Sequence, residues 1–452
     1  MAAFTVSEVC LATQGRVVGS VLQEQFTGVS TDTRRVKQGD LFIPLLGEHF
    51  DGHDFIHQAI ENGAAGIVFS HENLVVPGHI TAIVVTDTLL ALQDLARFHR
   101  QRFAIPVVAI TGSNGKTTTK DMAAAVLSKQ FHVLKTEANY NNEIGLPLTL
   151  LQLTHEHEVA VVEMGMRGKG QIRQLANIAL PTIAIITNVG ETHLELLGSI
   201  ENIAAAKAEL LEVIPEDGLV ILNGDDVYVR KMAKKIKSPT LLFGLEQGDI
   251  KAEDIHMNIH SVDFVCRSAL NTFSVEIPTT GKHNIYNALA AIAVGIELGM
   301  NVNCISSGLN DFNASPMRLH IEKISDYLVI NDAYNASPMS MAAAIDTMVE
   351  VAVGRKVAVL GDMLELGPIA VAAHEDMGEK LARCNIDIVI TVGELAANIA
   401  SRASACGITQ VVACFNHEQA KAELQKVLQS GDTILIKGSR GMKMETIINM
   451  FL

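Results

Sequence analysis

A short loop between an apolar run and a helical pattern carries residue types that bind phosphate. The apolar run is 107–110, the helical pattern begins at Thr117, and the loop contains the pair Gly115 and Lys116. Backbone N–H groups in such a loop and at a helix N-terminus hold phosphate oxygens. The lysine reaches the β- and γ-phosphates of a nucleotide, and the threonine hydroxyl binds Mg²⁺. The predicted ATP-binding loop consists of Thr111, Gly112, Ser113, Asn114, Gly115, Lys116, Thr117 and Thr118.

This loop departs from the usual P-loop at one position. The usual pattern has a glycine five residues before Gly115, where this chain has Ile110. The alternative, a tight strand–helix turn with an exposed lysine, is disfavoured by Gly-Lys-Thr-Thr in this context. The shorter form, TGSNGKT, resembles that of the Mur ligases and folylpolyglutamate synthetases. The resemblance implies that ATP phosphorylates a carboxylate and that an amine then attacks the acyl phosphate.

Further segments resemble the Mur ligases in the same order along nearly the whole chain. They are 30–34, 139–145, 163–165, 187–193, 206–209, 281–288, 331–338, 361–367 and 437–440. Several ordered segments are more specific than one loop. They are most similar to the branch of the family that joins D-alanyl-D-alanine to UDP-N-acetylmuramoyl-tripeptide, so the resemblance implies these two partners as substrates.

The pattern of apolar runs and helices predicts an α/β protein of three domains, and a length of 452 residues agrees with that number. Residues 1–84 are expected to form a small α/β N-terminal domain that binds the UDP end of the substrate. Residues 85–315 are expected to form a central P-loop-type ATP-binding domain. Residues 316–452 alternate regularly, which predicts a C-terminal doubly wound, Rossmann-like domain.

The composition disfavours several classes of partner. The formal net charge is −15, whereas a nucleic-acid-binding protein usually has a basic surface. No apolar stretch approaches the roughly 18 residues of a membrane span. Residues 1–15 contain no lysine or arginine, unlike a secretory signal. We therefore expect a cytoplasmic protein without nucleic-acid or membrane partners. A monomer is expected as well, and the sequence itself leaves the oligomeric state open.

Three residues outside the loop match a Mg²⁺ site by family resemblance. Glu163 ends an apolar strand, where ligands of α/β sheets usually lie, and the resemblance implies that it binds Mg²⁺ together with Thr117. His193 matches a ligand of a second Mg²⁺, although imidazole is not the typical ligand of that ion. Lys207, on a helix predicted over 200–213, matches a lysine that Mur ligases carbamylate. Carbamylation requires a neutral amine, so burial must lower the pKa of this lysine. The alternative to a metal site is that Glu163 is a surface carboxylate, His193 a histidine whose hydrogen bonds are satisfied, and Lys207 a solvent-facing lysine.

The resemblance also implies residues that contact the nucleotide and the peptide substrate. Arg318 matches an arginine near the γ-phosphate, where it stabilises charge in phosphoryl transfer, and a solvent-exposed hinge arginine is the alternative. The other nucleotide-binding residues are Asn284, Asp332 and Asn335. The catalytic residues are Lys116, Glu163, His193, Lys207 and Arg318. The substrate-binding residues are Ser30, Thr31, Arg34, Asn139 and Asn142, and 30–34 is otherwise an ordinary polar turn.

Three other functions remain as alternatives. The preceding Mur ligase adds lysine or diaminopimelate to the dipeptide precursor, and it commonly carries a D-N-P-R-like motif that this chain lacks. Segment 334–338 also favours the later step, and segment 30–34 disfavours a folylpolyglutamate synthetase. A nucleotide-gated module without chemistry is disfavoured because every expected ligand residue is present. The sequence leaves open whether the third peptide residue is lysine or diaminopimelate.

Overall fold

The computed structural model describes residues 2–71, 78–234, 236–315 and 317–451. The chain forms three successive α/β units, each built around its own sheet, as predicted. The position predicted to begin the third domain, Pro316, lies outside the described residues, and the exact domain boundaries stay a prediction. Within the described ranges, no helix is both long and apolar enough to cross a membrane.

The N-terminal unit is small and contains short strands. Its strands are β1 (Phe4–Thr5), β2 (Arg16–Val18), β3 (Gln25–Phe26), β4 (Gly28–Ser30), β5 (Asp40–Phe42), β6 (Gly66–Phe69) and β7 (Thr81–Val84); its helices are α1 (Val6–Thr13) and α2 (Ile56–Glu61), and α3 (Thr88–Arg100) leads into the next unit. The main sheet has the order β2-β7-β6-β5-β4, and β1 pairs with β3 separately. Polar segment 30–34 follows β4, at the edge of this sheet.

The central unit has the largest sheet. Its strands are β8 (Val107–Thr111), β9 (Val133–Lys135), β10 (Val159–Glu163), β11 (Ile183–Ile186), β12 (Leu219–Asn223), β13 (Thr240–Gly244), β14 (Ile250–Met257), β15 (Val262–Arg267) and β16 (Thr272–Ile277). Its helices are α4 (Lys116–Leu127), α5 (Gly145–Leu150), α6 (Gln171–Ala179), α7 (Leu194–Leu197), α8 (Ile200–Ala208), α9 (Val227–Ala233), α10 (Lys282–Glu297) and α11 (Val302–Asn310). The order is β16-β15-β14-β13-β12-β11-β8-β10-β9, parallel from β9 to β14 and antiparallel beyond. Since β8, β10, β11 and β12 are buried throughout, they read as unbroken apolar runs in the sequence.

The C-terminal unit is the doubly wound domain that its regular alternation predicted. Its strands are β17 (His320–Ile324), β18 (Tyr327–Asp332), β19 (Lys356–Gly361), β20 (Ile388–Val392), β21 (Gln410–Cys414) and β22 (Thr433–Lys437); its helices are α12 (Pro338–Val351), α13 (Ala370–Arg383), α14 (Ala396–Ala405), α15 (His417–Val427) and α16 (Glu445–Ile448). The order is β17-β18-β22-β19-β20-β21, parallel except for β17. Ligands of such sheets bind at the carboxyl ends of the strands.

One helix is shorter than predicted. The helix expected over 200–213 ends at Ala208, and tighter backbone turns follow it. The carboxylate of Glu209 accepts hydrogen bonds from the backbone N–H of Gly170 at 2.7 Å and of Arg173 at 3.2 Å. This carboxylate thus satisfies free donors at the start of α6, as residues near a helix N-terminus do. Lys207 remains in the last turn of α8.

Candidate active site

A cleft of about 1210 Å³ is lined by residues of the central and C-terminal units. Most residues that the sequence singled out line it. They are Ser113, Asn114, Gly115, Lys116, Thr117, Thr118, Asn139, Asn142, Glu163, His193, Asn284, Arg318, Asp332 and Asn335. The carboxyl ends of β8, β10 and β18 therefore contribute to one concave surface, which is where α/β proteins bind their ligands.

The phosphate loop connects β8 to α4, and close packing fixes its shape. The Thr111 side chain is buried and donates to the Met164 carbonyl at 3.0 Å. A Cβ on Gly112 would lie 1.9 Å from the Thr187 hydroxyl, so only glycine fits there. Gly115 precedes α4 with φ +80°, a conformation that glycine adopts without steric cost. Thr111 and Gly112 thus shape the loop and are not part of the cleft wall as described.

A second segment of the central unit braces this loop. The backbone N–H of Gly190 donates to the Ser113 hydroxyl at 2.8 Å, and the backbone N–H of Asn114 donates to the Asn188 side chain at 2.8 Å. From the C-terminal unit, the Ser337 hydroxyl donates to the Asn114 side-chain oxygen at 3.1 Å. The loop is therefore held on both sides of the cleft. Ser337 lies in a segment that the sequence singled out, but its individual contact had no local signal.

Lys116 lies against the carbonyl groups of its own loop. Its ammonium donates to Gly112 at 2.8 Å and to Ser113 at 3.2 Å. Burial lowers the pKa of Lys116, the negative charge of Glu163 opposes that shift, and Arg318 adds to it. The cations Lys116 and Arg318 outnumber the single carboxylate of Glu163 here, so the site favours the binding of an anion.

Glu163 has one carboxylate oxygen without a partner. The residue ends β10, is 2% exposed, and accepts a hydrogen bond through Oε1 from the Asn141 amide at 2.7 Å. Its Oε2 is buried and has no hydrogen-bond partner among the described residues. A buried unpaired carboxylate oxygen is costly, and it is the hard donor that Mg²⁺ prefers. The residues present therefore fit a divalent cation. Asn141 lies in a segment that the sequence singled out, although its own role was not predicted.

Lys207 is an almost fully buried lysine, 2% exposed. No carboxylate of the described part of the chain lies within salt-bridge distance of its ammonium. Burial lowers the pKa of Lys207 well below its usual value, and the positive charge of Lys116 adds to this shift. The neutral amine is thus favoured, and this is the form that reacts with CO₂.

His193 connects the central unit to the C-terminal unit. It precedes α7 with φ +59°, and its Nδ1 hydrogen-bonds to the Glu365 carboxylate of the C-terminal unit. Burial lowers the pKa of His193, Glu365 opposes the shift, and the cations Lys116 and Lys207 add to it. Glu365 lies in segment 361–367, which the sequence singled out, but its role was not predicted because nothing local marks a contact between two domains.

Arg318 is engaged at one edge and on one face of its guanidinium. Its Nη2 donates to the Thr117 hydroxyl at 3.1 Å. The guanidinium carbon lies 4.0 Å from the centre of the Tyr334 ring, within the range of a cation–π interaction. These contacts disfavour the solvent-exposed hinge arginine and bring a cation to the phosphate loop.

Asp332 and Asn335 lie at the end of β18 and just beyond it. Asp332 accepts from the Lys437 ammonium at 2.5 Å and from the backbone N–H of Leu319 at 3.0 Å. The same ammonium donates to the Asn335 carbonyl at 2.9 Å. On the opposite side, the Asn284 amide donates to the Thr280 carbonyl at 2.7 Å. Lys437 thus fixes Asp332 and Asn335, two of the residues predicted to contact the nucleotide.

The predicted N-terminal substrate residues do not reach the cleft wall as described. The Ser30 hydroxyl donates to the Asp32 carbonyl at 2.9 Å. The Arg34 guanidinium donates to both Asp32 carboxylate oxygens, at 2.9 and 2.8 Å, and its side chain is 84% exposed. Thr31 lies between them in the same turn. This turn satisfies its own polar groups, and its contact with substrate stays a prediction.

The asparagine-rich loop lies closer to the cleft. Asn139 and Asn142 line it, and the Asn142 side-chain oxygen accepts from the backbone N–H of Gly145 at 2.8 Å. The Tyr140 hydroxyl accepts from the Arg35 guanidinium at 3.2 Å. The loop therefore connects the polar turn of the N-terminal unit to the cleft.

Comparison with known families agrees with this architecture. Residues 25–100 match the catalytic domain of the Mur ligase family, 110–295 the Mur ligase middle domain, and 317–440 the glutamate ligase domain of Mur ligases. The chain belongs to the Mur ligase family and is an enzyme of the ligase class.

Particular members of that family resemble the chain over almost its full length. It is 43% identical to the UDP-N-acetylmuramoyl-tripeptide–D-alanyl-D-alanine ligase of Bacillus subtilis (strain 168), over 93% of this chain and 92% of the relative. A crystal structure of MurF from Acinetobacter baumannii superposes with a TM-score of 0.93 at 33% identity, covering 100% of this chain and 99% of that one. MurF from Thermotoga maritima in complex with ADP gives a TM-score of 0.85 at 31% identity, covering 94% and 96%.

Proposed function

We propose that this chain joins D-alanyl-D-alanine to UDP-N-acetylmuramoyl-tripeptide with consumption of ATP, in the assembly of peptidoglycan precursors. The γ-phosphoryl group of ATP passes to the terminal carboxylate of the tripeptide, which releases ADP. The amine of D-alanyl-D-alanine then attacks the acyl phosphate, phosphate leaves, and an amide bond forms. The substrates named for the Bacillus subtilis relative and the ADP complex of the Thermotoga maritima relative support this assignment.

The observation that carries the proposal is the meeting of two features in one cleft, the phosphate loop with Lys116 and the half-paired carboxylate of Glu163. A third feature, the buried amine of Lys207, does not line the cleft, but its charge acts on His193, which does. A carboxylate is a poor acyl donor, so it must be activated before an amine can displace its oxygen. The features divide that task between binding phosphate, binding a cation and holding an anion in place.

Each residue has a role that follows from its contacts. Lys116 and Arg318 stabilise negative charge on the transferring phosphoryl group. Lys437 fixes Asp332, at the end of its strand, to accept a ribose hydroxyl of the nucleotide, and Asn284 and Asn335 bind the nucleotide from either side. Asn139 and Asn142 orient the reacting end of the peptide. Holding carboxylate and amine together supplies a large part of the rate, because placement dominates such a step.

Magnesium is the expected cation. Thr117 and Glu163 would hold one ion, and His193 and Lys207 would hold a second, with Lys207 carbamylated by CO₂. The carbamate converts a cation into an anionic oxygen ligand on a long stem. When bound, the ions neutralise charge on the phosphate and carboxylate oxygens.

The rest of the proposal concerns the whole molecule. Residues 1–84 bind the UDP end of the substrate through Ser30, Thr31 and Arg34, residues 85–315 bind ATP, and residues 316–452 close over the nucleotide. We propose that the enzyme works as a monomer in the cytoplasm, where ATP and UDP-linked precursors are available.

The test is a substrate matrix that follows ADP release and product mass. UDP-linked dipeptide and tripeptides, with lysine or diaminopimelate in third position, are each offered lysine, diaminopimelate, glutamate or D-alanyl-D-alanine. Efficient turnover is expected only for a tripeptide with D-alanyl-D-alanine, and the better tripeptide identifies the third residue.

Other outcomes each contradict the proposal in a defined way. Preferred turnover of the dipeptide with lysine or diaminopimelate would move the chain to the preceding step. Extension of a folate by glutamate would move it out of cell-wall synthesis. ATP hydrolysis that no peptide affects would indicate a module without ligation chemistry.

A further inference from the structure

The C-terminal unit contributes a carboxylate that contacts a cleft residue without lining the cleft itself. Glu365 follows β19 and hydrogen-bonds to Nδ1 of His193, which lines the cleft in the central unit. A backbone contact accompanies it, since the N–H of Glu195 donates to the Glu365 carbonyl at 3.2 Å. Gly367 also approaches closely, because a Cβ there would lie 3.0 Å from the Glu195 Cα. The two units are therefore joined by a side-chain pair and by their backbones.

The chemistry of the pair determines which nitrogen of the ring carries the proton. An ionised carboxylate has only acceptors, so Nδ1 of His193 must be the donor towards Glu365. The neutral imidazole then has its lone pair on Nε2, the nitrogen left for a cation or a substrate proton. A carboxylate behind a ligating histidine fixes both the tautomer and the ring orientation in this way.

The loop that carries Glu365 is held rigidly. The backbone N–H of Met363 donates to Nε2 of the buried His374 at 2.9 Å, and that of Leu364 donates to the Ser439 hydroxyl at 2.9 Å. Glu365 itself has φ +62°. A bulky residue keeps such a conformation only where its surroundings enforce it. The loop backbone is therefore held so that the Glu365 carboxylate lies against His193.

We propose that Glu365 is a positioning residue for His193, supplied across the domain interface, so that docking of the C-terminal unit onto the central unit leaves Nε2 free for the site. The role in ligation rests on the proposed function, whereas the tautomer does not. His193 belongs to the central unit and Glu365 to the C-terminal unit, so the pair forms only when the two units meet. Completion of this part of the active site is thereby linked to domain closure.

A double-mutant cycle separates this role from a merely structural one. Glu365→Ala is expected to raise the Mg²⁺ concentration for half-maximal turnover about 10- to 100-fold, as loss of such outer contacts does. In a His193→Ala background the same change should add less than about a 2-fold effect, because neighbouring residues that act as one unit are not additive. Full additivity would overturn the proposal. Glu195→Ala is the matched control, since it removes an exposed carboxylate from the same interface and should leave the Mg²⁺ dependence unchanged.

A second measurement needs neither substrate nor metal. Nitrogen NMR of the histidine-labelled protein reports the tautomer of His193, whose signals are assigned by their loss in His193→Ala. The Nδ1–H form is expected in the wild type and in Glu195→Ala, and a mixture in Glu365→Ala. Glu365→Gln, whose amide both accepts and donates, should have a proportion of the Nδ1–H form between those of the wild type and Glu365→Ala. This variant replaces Glu365→Ala if the alanine variant unfolds. A predominant Nε2–H form in the wild type would refute the proposal. Failure of peptide-dependent turnover alone would count against the proposed function and leave this result standing.

Discussion

Replacing Lys207 with methionine should stabilise the fold and abolish ligation. The side chain is 2% exposed, and burial lowers the pKa of Lys207 well below its usual value. Methionine fills a similar volume without a group that needs solvation. The catalytic change is expected because methionine forms no carbamate. Loss of function together with a gain in stability is unusual among substitutions of buried residues, most of which destabilise.

The size of the gain follows from proton linkage. An unfolded lysine has a pKa of about 10.4, so it stays protonated at pH 8. Because burial lowers the pKa of Lys207 in the folded protein, folding releases its proton, which costs about 1.4 kcal/mol for each pH unit by which that pKa lies below the unfolded value. The unfolded state binds more protons, so the stability of the wild type rises with pH and the cost disappears above about pH 10.4. The advantage of methionine should therefore shrink towards pH 9.5.

The assay is urea unfolding followed by circular dichroism, in CO₂-free buffer at pH 8 and pH 9.5. Lys120→Met is the matched control because Lys120 is equally buried but paired: its ammonium donates to the Thr136 carbonyl at 2.8 Å and lies 3.2 Å from Asp121. That control should lose stability. Adding bicarbonate should stabilise the wild type and not Lys207→Met. A methionine variant that is less stable than the wild type at pH 8, or whose gain is independent of pH, would refute the reasoning.

Two further predictions concern the phosphate loop. Lys116→Ala should abolish turnover and ATP-analogue binding in calorimetry. It should barely move the unfolding midpoint, because within the described ranges this ammonium bonds two carbonyls of its own loop. A correctly folded variant with normal turnover would exclude the loop from phosphate binding. Gly115→Ala should cost about 1–2 kcal/mol for its φ of +80° and weaken nucleotide binding as well, since the new Cβ would lie 2.5 Å from the Asn287 side chain. Gly170→Ala is its control, with φ +86° and nothing within 4 Å, and should lose stability but keep nucleotide affinity; equal affinities in the two variants would argue against a loop shaped by Asn287.

The sequence predicts the strands better than the helix ends. Strand β8 (Val107–Thr111) matches the apolar run 107–110 to within one residue, because strands buried on both faces are continuous and sharply delimited. The helix through Lys207 was predicted to continue to residue 213 and ends at Ala208. Its continuation was lost because Glu209 bonds the start of another helix, a tertiary contact that local propensity does not contain.

In the site, too, local features are predictable from the sequence and contacts between distant segments are not. Residues adjacent in the sequence, such as the loop ending in Lys116, are recognisable because their spacing alone defines the chemistry. Contacts of Glu365 with His193 and of Arg318 with Thr117 depend on how two units pack, so no local pattern carries them. The polar turn at Arg34 is the opposite case: it was singled out for substrate, and in the structure its guanidinium bonds Asp32.

Two buried groups with opposite demands explain why this site is costly to fold. Glu163 keeps one carboxylate oxygen unpaired, and Lys207 is buried without a carboxylate partner in the described chain. A direct ion pair between them would satisfy both, but it would leave neither a free oxygen for a cation nor a neutral amine for CO₂. The charge of Glu163 acts instead on Lys116, where the phosphate is expected. Cation and CO₂ would each relieve one of the two unmet demands, so the protein should be most stable when it is loaded for catalysis, as a ligand that binds only the folded state requires.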